Sequence, residues 1–482
     1  MTDLGPIGRL ATGINGFDQI ALGGLPVGRT TLVSGTTGSG KTLFAVEFLA
    51  RGILQFGEPG IFVTFEEKPD DIRRNCASLG FGIADWEREG LWAFVDASAE
   101  DNADQPVVGL YDFSALVARI EYAARRIGAR RVSLDSLGTI FSRFADRAIV
   151  GPEVRRIATS LAGMGVTSVI TGERSREHDG VSRYGVEEFV IDNVIILRNV
   201  LAQERRHRTV EIVKFRGAPH RTGEWLFTID PRDGLVVIPL AFLAPPFAPA
   251  SSVRVSSGNA DLDQMCGGGF FKDAIVLLTG PIGAGKTMTA LKFIATGASA
   301  GERCLAFVFD ESREQLQRSA AGWGLDLETT EKSGLLRVVC EYPEVASLED
   351  HFLRIRRAIE DFAPRRLVID TLSSLERIVS PRALLNFMIA LGALVRQHGI
   401  TTLLTYTPAG ERTAQVWPSV ASDLSSLPDV TISLRYFERG GQVHRAVTVI
   451  QARGSAHDRS VRDATVDGDG MHIGGPVSSE ER

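Results

Sequence analysis

Two copies of one eight-residue loop constrain this chain more than any other feature. Gly35-Thr36-Thr37-Gly38-Ser39-Gly40-Lys41-Thr42 follows the apolar run Thr30-Thr31-Leu32-Val33-Ser34. Gly280-Pro281-Ile282-Gly283-Ala284-Gly285-Lys286-Thr287 follows Ala274-Ile275-Val276-Leu277-Leu278-Thr279. Both match the P-loop pattern, with two glycines bracketing four free positions before Lys and Thr. In such a loop the glycines let backbone N–H groups turn inward around phosphate oxygens. The lysine reaches the terminal phosphates, the threonine hydroxyl ligates Mg²⁺, and the following helix offers its N-terminal dipole. A Gly-rich turn can match once by accident, but the chain holds only seven lysines, and a second match after a second apolar run removes that explanation. The expected phosphate contacts are Thr37, Gly38, Ser39, Gly40, Lys41, Thr42 and Leu43, then Ile282, Gly283, Ala284, Gly285, Lys286, Thr287 and Met288. A nucleoside triphosphate with Mg²⁺ is the expected ligand at each of the two places.

Other landmarks recur in the same order. Phe65-Glu66-Glu67 and Phe309-Asp310-Glu311 lie 244 residues apart, and Arg130 to Leu137 answers to Arg365 to Leu372 at 235. Asp192 to Arg198 answers to Asp429 to Arg435, and Arg216 to His220 answers to Arg453 to His457, both at 237. Such spacing means a duplicated domain rather than a short-period solenoid. The expected divisions are a first ATPase domain at 1–240, a Pro-rich linker at 241–255, a second domain at 256–462, and a short flexible Gly/Asp-rich tail at 463–482. The linker assignment rests on Ala244-Pro245-Pro246-Phe247-Ala248-Pro249, which suits neither a helix nor a central strand.

Within each half, buried apolar strands alternate with helical patterns, so the fold class is α/β with a mainly parallel sheet covered on both faces. In the first half the strands are expected at 30–34, 60–65, 131–135 and 167–171, with helices at 41–54, 69–78, 113–127 and 151–164. The more polar strands near 193–198 and 208–214 suggest an antiparallel edge. Ligands of such sheets sit at the carboxyl ends of the strands, where both P-loops fall.

At 482 residues the chain exceeds one ordinary core. A net charge of −6 argues against a generally basic nucleic-acid binder. Cys76, Cys266, Cys304 and Cys340 form no C-x-x-C pair and read as reduced thiols. The first residues lack a signal-like apolar stretch and no run approaches a membrane span, so a cytoplasmic protein is expected.

The chemistry follows from what stands at the strand ends. Asp135 and Asp370 each end an apolar strand and precede a hydroxyl residue, the placement of a carboxylate that holds the Mg²⁺ shell beside Thr42 or Thr287. A lone Asp there equally often caps the next helix; its recurrence with a P-loop favours the metal. Glu66 and Glu67 suit a general base with a supporting neighbour, against the plainer alternative of an acidic first helical turn after Pro69. The second half repeats the pair as Asp310-Glu311, where the shorter Asp reaches less far. Lys214 and Arg216 fall on one side of a strand, and their counterparts are Gln451 and Arg453, so one cation is lost. In ring ATPases such cations complete a neighbouring subunit's site.

These residues carry a resemblance to the KaiC family of double RecA-like ATPases. It rests on both P-loops, Thr64-Phe65-Glu66-Glu67, Arg183-Tyr184-Gly185-Val186-Glu187-Glu188-Phe189, Ile196-Leu197-Arg198-Asn199-Val200-Leu201, Val253 to Gly258, and Met265 to Asp273, and covers nearly the whole chain. The resemblance implies a homohexamer of two stacked rings with ATP at subunit interfaces. It implies slow hydrolysis in the first ring and autokinase with autophosphatase activity in the second, as a signalling or circadian timing device. Glu66 and Glu67 then resemble the first-ring catalytic pair, and Ser78 a nucleotide contact. Lys214, Phe215, Arg216 and His220 resemble contacts made across the interface. Asp310 stands at the family's general base and among its metal contacts, with Glu311 beside it. Trp323 resembles a base-stacking residue and Arg377 an interfacial arginine. Arg445, Gln451, Arg453, Ser455 and His457 fall at trans-contact positions, and Ser425-Ser426 at the phosphoacceptor pair.

Three departures stand out: Asp310 with Gln451, Val420 in place of a hydroxyl residue five before the acceptors, and a short end after His457. The family's longer tail binds KaiA, so KaiA control is not expected; a KaiB-like protein or a response-regulator and histidine-kinase output is the implied partner. The rival expectations are a DNA-dependent ATPase, disfavoured by the acidic charge and the lack of a basic aromatic-interleaved loop, and a nucleotide-gated scaffold without autokinase activity.

Overall fold

The computed structural model describes residues 7–98, 113–136, 138, 150–174, 177, 190–202, 205–238, 251–408 and 427–477. Ser425, Ser426, Val420, the motif at 183–189 and most of the expected linker lie outside the described residues. The chain divides into two compact units, Met1–Pro239 and Leu240–Arg482.

The first unit is built on a nine-stranded sheet. From one edge its strands are Gly234–Val237, Glu224–Asp230, Arg205–Phe215, Asn193–Ala202, Thr30–Gly35, Thr167–Glu173, Arg131–Asp135, Gly60–Thr64 and Trp92–Asp96. The P-loop strand Thr30–Gly35 is buried throughout and lies at the centre, which is why it reads as an unbroken apolar and small-residue run. It pairs in parallel with Thr167–Glu173 and also with Asn193–Ala202. The antiparallel part begins only at the next ladder, where Asn193–Ala202 meets Arg205–Phe215. The polar character of 193–202 therefore marks the change of direction, not an antiparallel start.

Helices cover both faces. Lys41–Phe56 buries Phe44, Phe48, Leu49 and Ile53 on one side, while Phe113–Ile127 and Val150–Gly163 pack Leu116, Ile120, Val154 and Ile157 on the other. Burial at period 3.6 on these helices supplies most of their stability.

The second unit repeats the plan in the order Leu336–Glu341, Cys304–Phe309, Arg366–Asp370, Thr401–Tyr406, Ile275–Thr279, Val430–Arg439, Gln442–Ala452, Arg462–Asp467 and Gly470–Pro476. Two expected boundaries are corrected here. Residues 463–476 are not a flexible tail: they form the last two strands of the sheet, joined at Asp467↔Gly470. The Gly/Asp content marks the turn of that hairpin, while Ala464 and Met471 are buried. Arg254–Val255 pairs with Phe270–Phe271, so it belongs to the second unit rather than to a linker.

One buried arginine repeats in both units. Arg131, 1% exposed, pairs with Glu58 at 2.6 Å and donates to the Phe48 carbonyl at 3.0 Å and the Ala11 carbonyl at 2.8 Å. Arg366 does the same with Glu302 at 2.5 Å and the Phe293 and Ser256 carbonyls at 3.0 and 2.8 Å. Each guanidinium lies under a glycine of the P-loop helix: a Cβ on Gly52 or Gly297 would stand 2.5 Å from it. Together they tie the P-loop helix to the strand that carries the site aspartate. No helix among the described residues is long and apolar enough to cross a membrane.

Candidate ATP sites

In the first unit the chain leaves the P-loop strand at Gly35 and enters the helix at Gly40, whose φ of 94° is left-handed. A Cβ on Gly35 would stand 2.3 Å from Ser39 Oγ and 2.5 Å from the Leu197 carbonyl, so only glycine closes this loop. Lys41 Nζ donates to the Thr36 carbonyl at 2.8 Å. Burial lowers the Lys41 pKa, and the charges of Glu173, Asp135, Glu66 and Glu177 oppose that. Asp135 ends its strand and accepts a hydrogen bond from Thr171 Oγ1.

Glu66 is the carboxylate that faces the loop. Burial pushes its pKa up, Glu173, Asp135 and Glu67 push it further, and Lys41 pulls it back. Glu67 turns the other way: its side chain accepts from Asn75 at 3.4 Å, and its carbonyl accepts from Thr64 Oγ1 at 2.5 Å. Ser78 Oγ donates to the Asn75 carbonyl at 2.7 Å, just past the helix Pro69–Ala77.

In the second unit Lys286 is buried and its Nζ donates to the carbonyls of Gly280 and Pro281 at 2.6 and 2.8 Å. Asp370 is buried; burial raises its pKa, and hydrogen bonds from Thr405 and Thr287 with the charge of Lys286 counter that. Thr287 and Asp370 thus meet as the P-loop pattern requires of a Mg²⁺ pair. Asp310 does not join them. It adopts a left-handed φ of 72°, and its carboxylate accepts from Ser374 Oγ and from Arg377 Nη2 at 2.6 Å. Arg377 also lies 3.3 Å from Glu344. Glu311 takes the inner position: burial and the Asp370 charge raise its pKa, and its Oε2 is buried without a hydrogen-bond partner. The facing carboxylate is therefore the first of the pair in one unit and the second in the other. Asp310, expected to lead in both catalytic and metal roles, is here engaged by Ser374 and Arg377.

The cations of the expected trans set stand at the far end of the sheet from their own P-loop. Lys214 is in register with Val194, which pairs with Leu32, so it lies three residues, about 10 Å, short of Gly35. Its Nζ donates to the Ile191 carbonyl at 2.9 Å. Arg216 lies further back, 3.3 Å from Asp192. Phe215 packs against His220, whose pKa is lowered by burial and by Arg9. In the second unit Gln451 is in register with Thr431, which pairs with Leu277, and Arg453 N–H donates to the Asp429 carbonyl at the same far end. Ser455 accepts from Arg254, and His457 Nε2 is buried without a hydrogen-bond partner. Trp323 packs half-buried against the core behind the helix Arg313–Ala321.

Arg445 departs from this group. Its Nε donates to the Gly283 carbonyl of its own P-loop at 3.4 Å, and its guanidinium lies 5.6 Å from the Tyr436 ring. Tyr436 OH donates to the Ile282 carbonyl at 3.2 Å. Asn199, 237 residues earlier, donates to the Gly38 carbonyl at 3.3 Å. Tyr436 carries no sequence signal beyond the 237-residue offset that links it to Asn199. Also missed were Glu173, at the end of Thr167–Glu173, and Glu177, which accepts from Thr36 Oγ1. The apolar run that marks this strand in sequence stops at 171, two residues short of that carboxylate.

The residues suit a triphosphate with a hard divalent cation. Ser39 Oγ is buried without a partner, inward-facing glycine loops surround both lysines, and Glu311 Oε2 with the Thr287–Asp370 pair supplies oxygen ligands. Two such sites on two RecA-like sheets define a tandem P-loop ATPase. The family model described as "ATPase: KaiC" matches residues 10–241 and again 255–478. The chain is 48% identical over 472 residues to the circadian clock protein KaiC3 of Synechocystis sp., covering 98% of this chain and 92% of that protein. It is 48% identical over 468 residues to the circadian clock oscillator protein KaiC of Thermosynechococcus vestitus (96% and 89% covered), and 46% over 476 residues to that of Synechococcus elongatus (99% and 91%). The chain belongs to the KaiC family.

Proposed function

We propose that this KaiC-family ATPase works as a homohexamer of two stacked rings with ATP held between subunits, hydrolysed in the first ring and used for serine autophosphorylation in the second. The observation that carries the shared sites is the position of Lys214 and Arg216, some 10 Å or more behind their own P-loop, where they suit only a neighbour's phosphates. In the first ring Thr42 and Asp135 would hold Mg²⁺, whose charge would stabilise the transferring phosphoryl group. Glu66 takes the proton of the attacking water as its oxygen bonds to the γ-phosphorus. The bond from that phosphorus to the bridging oxygen breaks, and ADP leaves with the electron pair.

In the second ring Thr287 and Asp370 are the metal pair and Glu311 is the base. Glu311 takes the hydroxyl proton of Ser425 or Ser426 as that oxygen receives the γ-phosphoryl group. In the autophosphatase direction the phosphoryl group passes from the serine oxygen back to ADP, and Glu311 returns the proton to that oxygen. The protein is cytoplasmic, works without nucleic acid or membrane, and passes its state to a KaiB-like protein or a response-regulator and histidine-kinase output.

Intact mass after incubation with Mg-ATP tests this. Increments of about 80 Da, one phosphate each, are expected and should vanish in Ser425→Ala/Ser426→Ala. Increments that persist in the double variant would remove the acceptor assignment. A second reading, a nucleotide-gated scaffold whose second ring does not turn over, is favoured by the Asp310–Arg377 pair and by Gln451. No increments, with ATP still bound, would establish it.

A further inference from the structure

We propose that Glu173 is a positioning residue of the first-unit ATP site, holding Lys41 and Glu66 in the arrangement that hydrolysis uses. This rests on the hydrolytic role of that site. The strand Thr167–Glu173 lies between the P-loop strand and the strand of Asp135. Glu173 is in register with Gly35, the first P-loop residue. It is two residues beyond Thr171, so it shares the face from which Thr171 Oγ1 reaches Asp135. Sheet geometry therefore sets a third carboxylate between the phosphate loop and the metal aspartate.

Its charge acts accordingly. Among neighbouring charges, that of Glu173 acts most strongly on both Lys41 and Glu66, ahead of Asp135. An attraction to Lys41 holds its ammonium inside the loop, where Nζ reaches the Thr36 carbonyl. A repulsion from Glu66 keeps that carboxylate proton-hungry, as a base must be. Glu173 needs no contact with the reacting atoms for either effect.

Among the described residues the second unit shows no equivalent carboxylate at this register. Counting from Thr171 and Thr405, which each bond their site aspartate, Glu173 answers to Thr407. There the Thr407 backbone is tied to Ser373, with N–H to Oγ at 2.6 Å and Oγ–H to the carbonyl at 2.9 Å. Beside Lys286, Asp370 and Glu311 this position brings no charge. One unit thus carries a hydrolytic accessory that the other has replaced with a neutral backbone tether.

The test is steady-state ATP hydrolysis by the full chain carrying Lys286→Ala, which isolates first-unit turnover. Glu173→Gln is expected to lower kcat about tenfold while KM for ATP stays within about threefold, and Glu173→Asp is expected to recover part of the loss. A Glu173→Gln rate within about twofold of its parent, alongside an inactive Glu66→Gln, overturns the role of Glu173 alone. A loss that Glu173→Asp does not relieve and that follows a lowered melting temperature reduces Glu173 to a structural residue and also overturns it. A Glu66→Gln variant as active as its parent instead overturns the hydrolytic reading on which this one stands.

Discussion

Arg377 Nη2 donates to Asp310 Oδ1 at 2.6 Å, and Ser374 holds the other oxygen of the same carboxylate. Asp310 is thereby engaged on the side of Arg377, and Glu311 is left as the carboxylate beside Asp370. In the first unit the corresponding order is reversed, with Glu66 at the loop and Glu67 turned to Asn75. Two units with an acidic pair at the end of the equivalent strand present different members of the pair, and of the four acids only Asp310 has a left-handed φ.

Second-unit phosphotransfer should therefore depend on Glu311 more than on Asp310. Glu311→Gln is expected to slow phosphate incorporation about a hundredfold and Asp310→Asn less than tenfold, the range general-base removal spans. Radiolabel incorporation from ATP over time checks the order; equal losses would contradict it.

Shared sites make a prediction that no single variant tests. Lys41→Ala and Arg216→Ala should each abolish first-unit hydrolysis, since each removes one side of every interface. Subunits of the two variants mixed one to one before assembly should recover about a quarter of the parent rate, because random neighbours rebuild that fraction of interfaces. Recovery near zero would place both residues in one subunit's site.

The glycines over Arg131 and Arg366 should be intolerant of even a methyl group. Gly52→Ala sets a Cβ 2.5 Å from a guanidinium that is itself buried and fully engaged. Overpacking of this kind costs about 1–3 kcal/mol, more than the gain in helix propensity of about 1 kcal/mol returns. Urea denaturation of Gly52→Ala and Gly297→Ala should show lowered midpoints for the unit concerned.

Glu47 predicts a pH dependence of stability. It is fully buried, accepts from Arg51 Nε and the Leu235 N–H at 2.6 Å each, and so ties the P-loop helix to the sheet's edge strand. Burial raises its pKa, and the Arg51 charge and these hydrogen bonds only partly offset that. A folded pKa above the unfolded one means the folded state binds the proton more tightly. The contribution is full below the ordinary carboxylate range and is lost as pH rises through the raised value. The stability of the parent relative to Glu47→Gln should therefore be greater at about pH 4.5 than at about pH 8, measured by denaturant midpoints.

The pattern of residues along the chain determined a great deal. Both P-loops, the duplication, the α/β alternation, the helices at 113–127 and 150–163 within a residue, and the aspartates that end their strands are all local or periodic signals. Each depends on a few adjacent residues or on a repeat of period 3.6, so it survives reading in one dimension. The 237-residue offset also carries the last hairpin. Applied to Glu224–Asp230 and Gly234–Val237, it points to 461–467 and 471–474, where the last hairpin lies rather than a tail.

What only the tertiary structure decided is which side chains converge. Glu173 and Asp135 come from different strands 38 residues apart, and their meeting at Lys41 is set by sheet order and register. Arg445 lies on its own P-loop because its strand runs antiparallel beside Tyr436, although its neighbour Arg453 sits at the far end. Asp310 and Glu311 are adjacent in sequence and were assigned by position. Their exchange of roles follows from one left-handed φ and from Arg377, 67 residues away, and contacts across such separations leave no periodic trace in the chain.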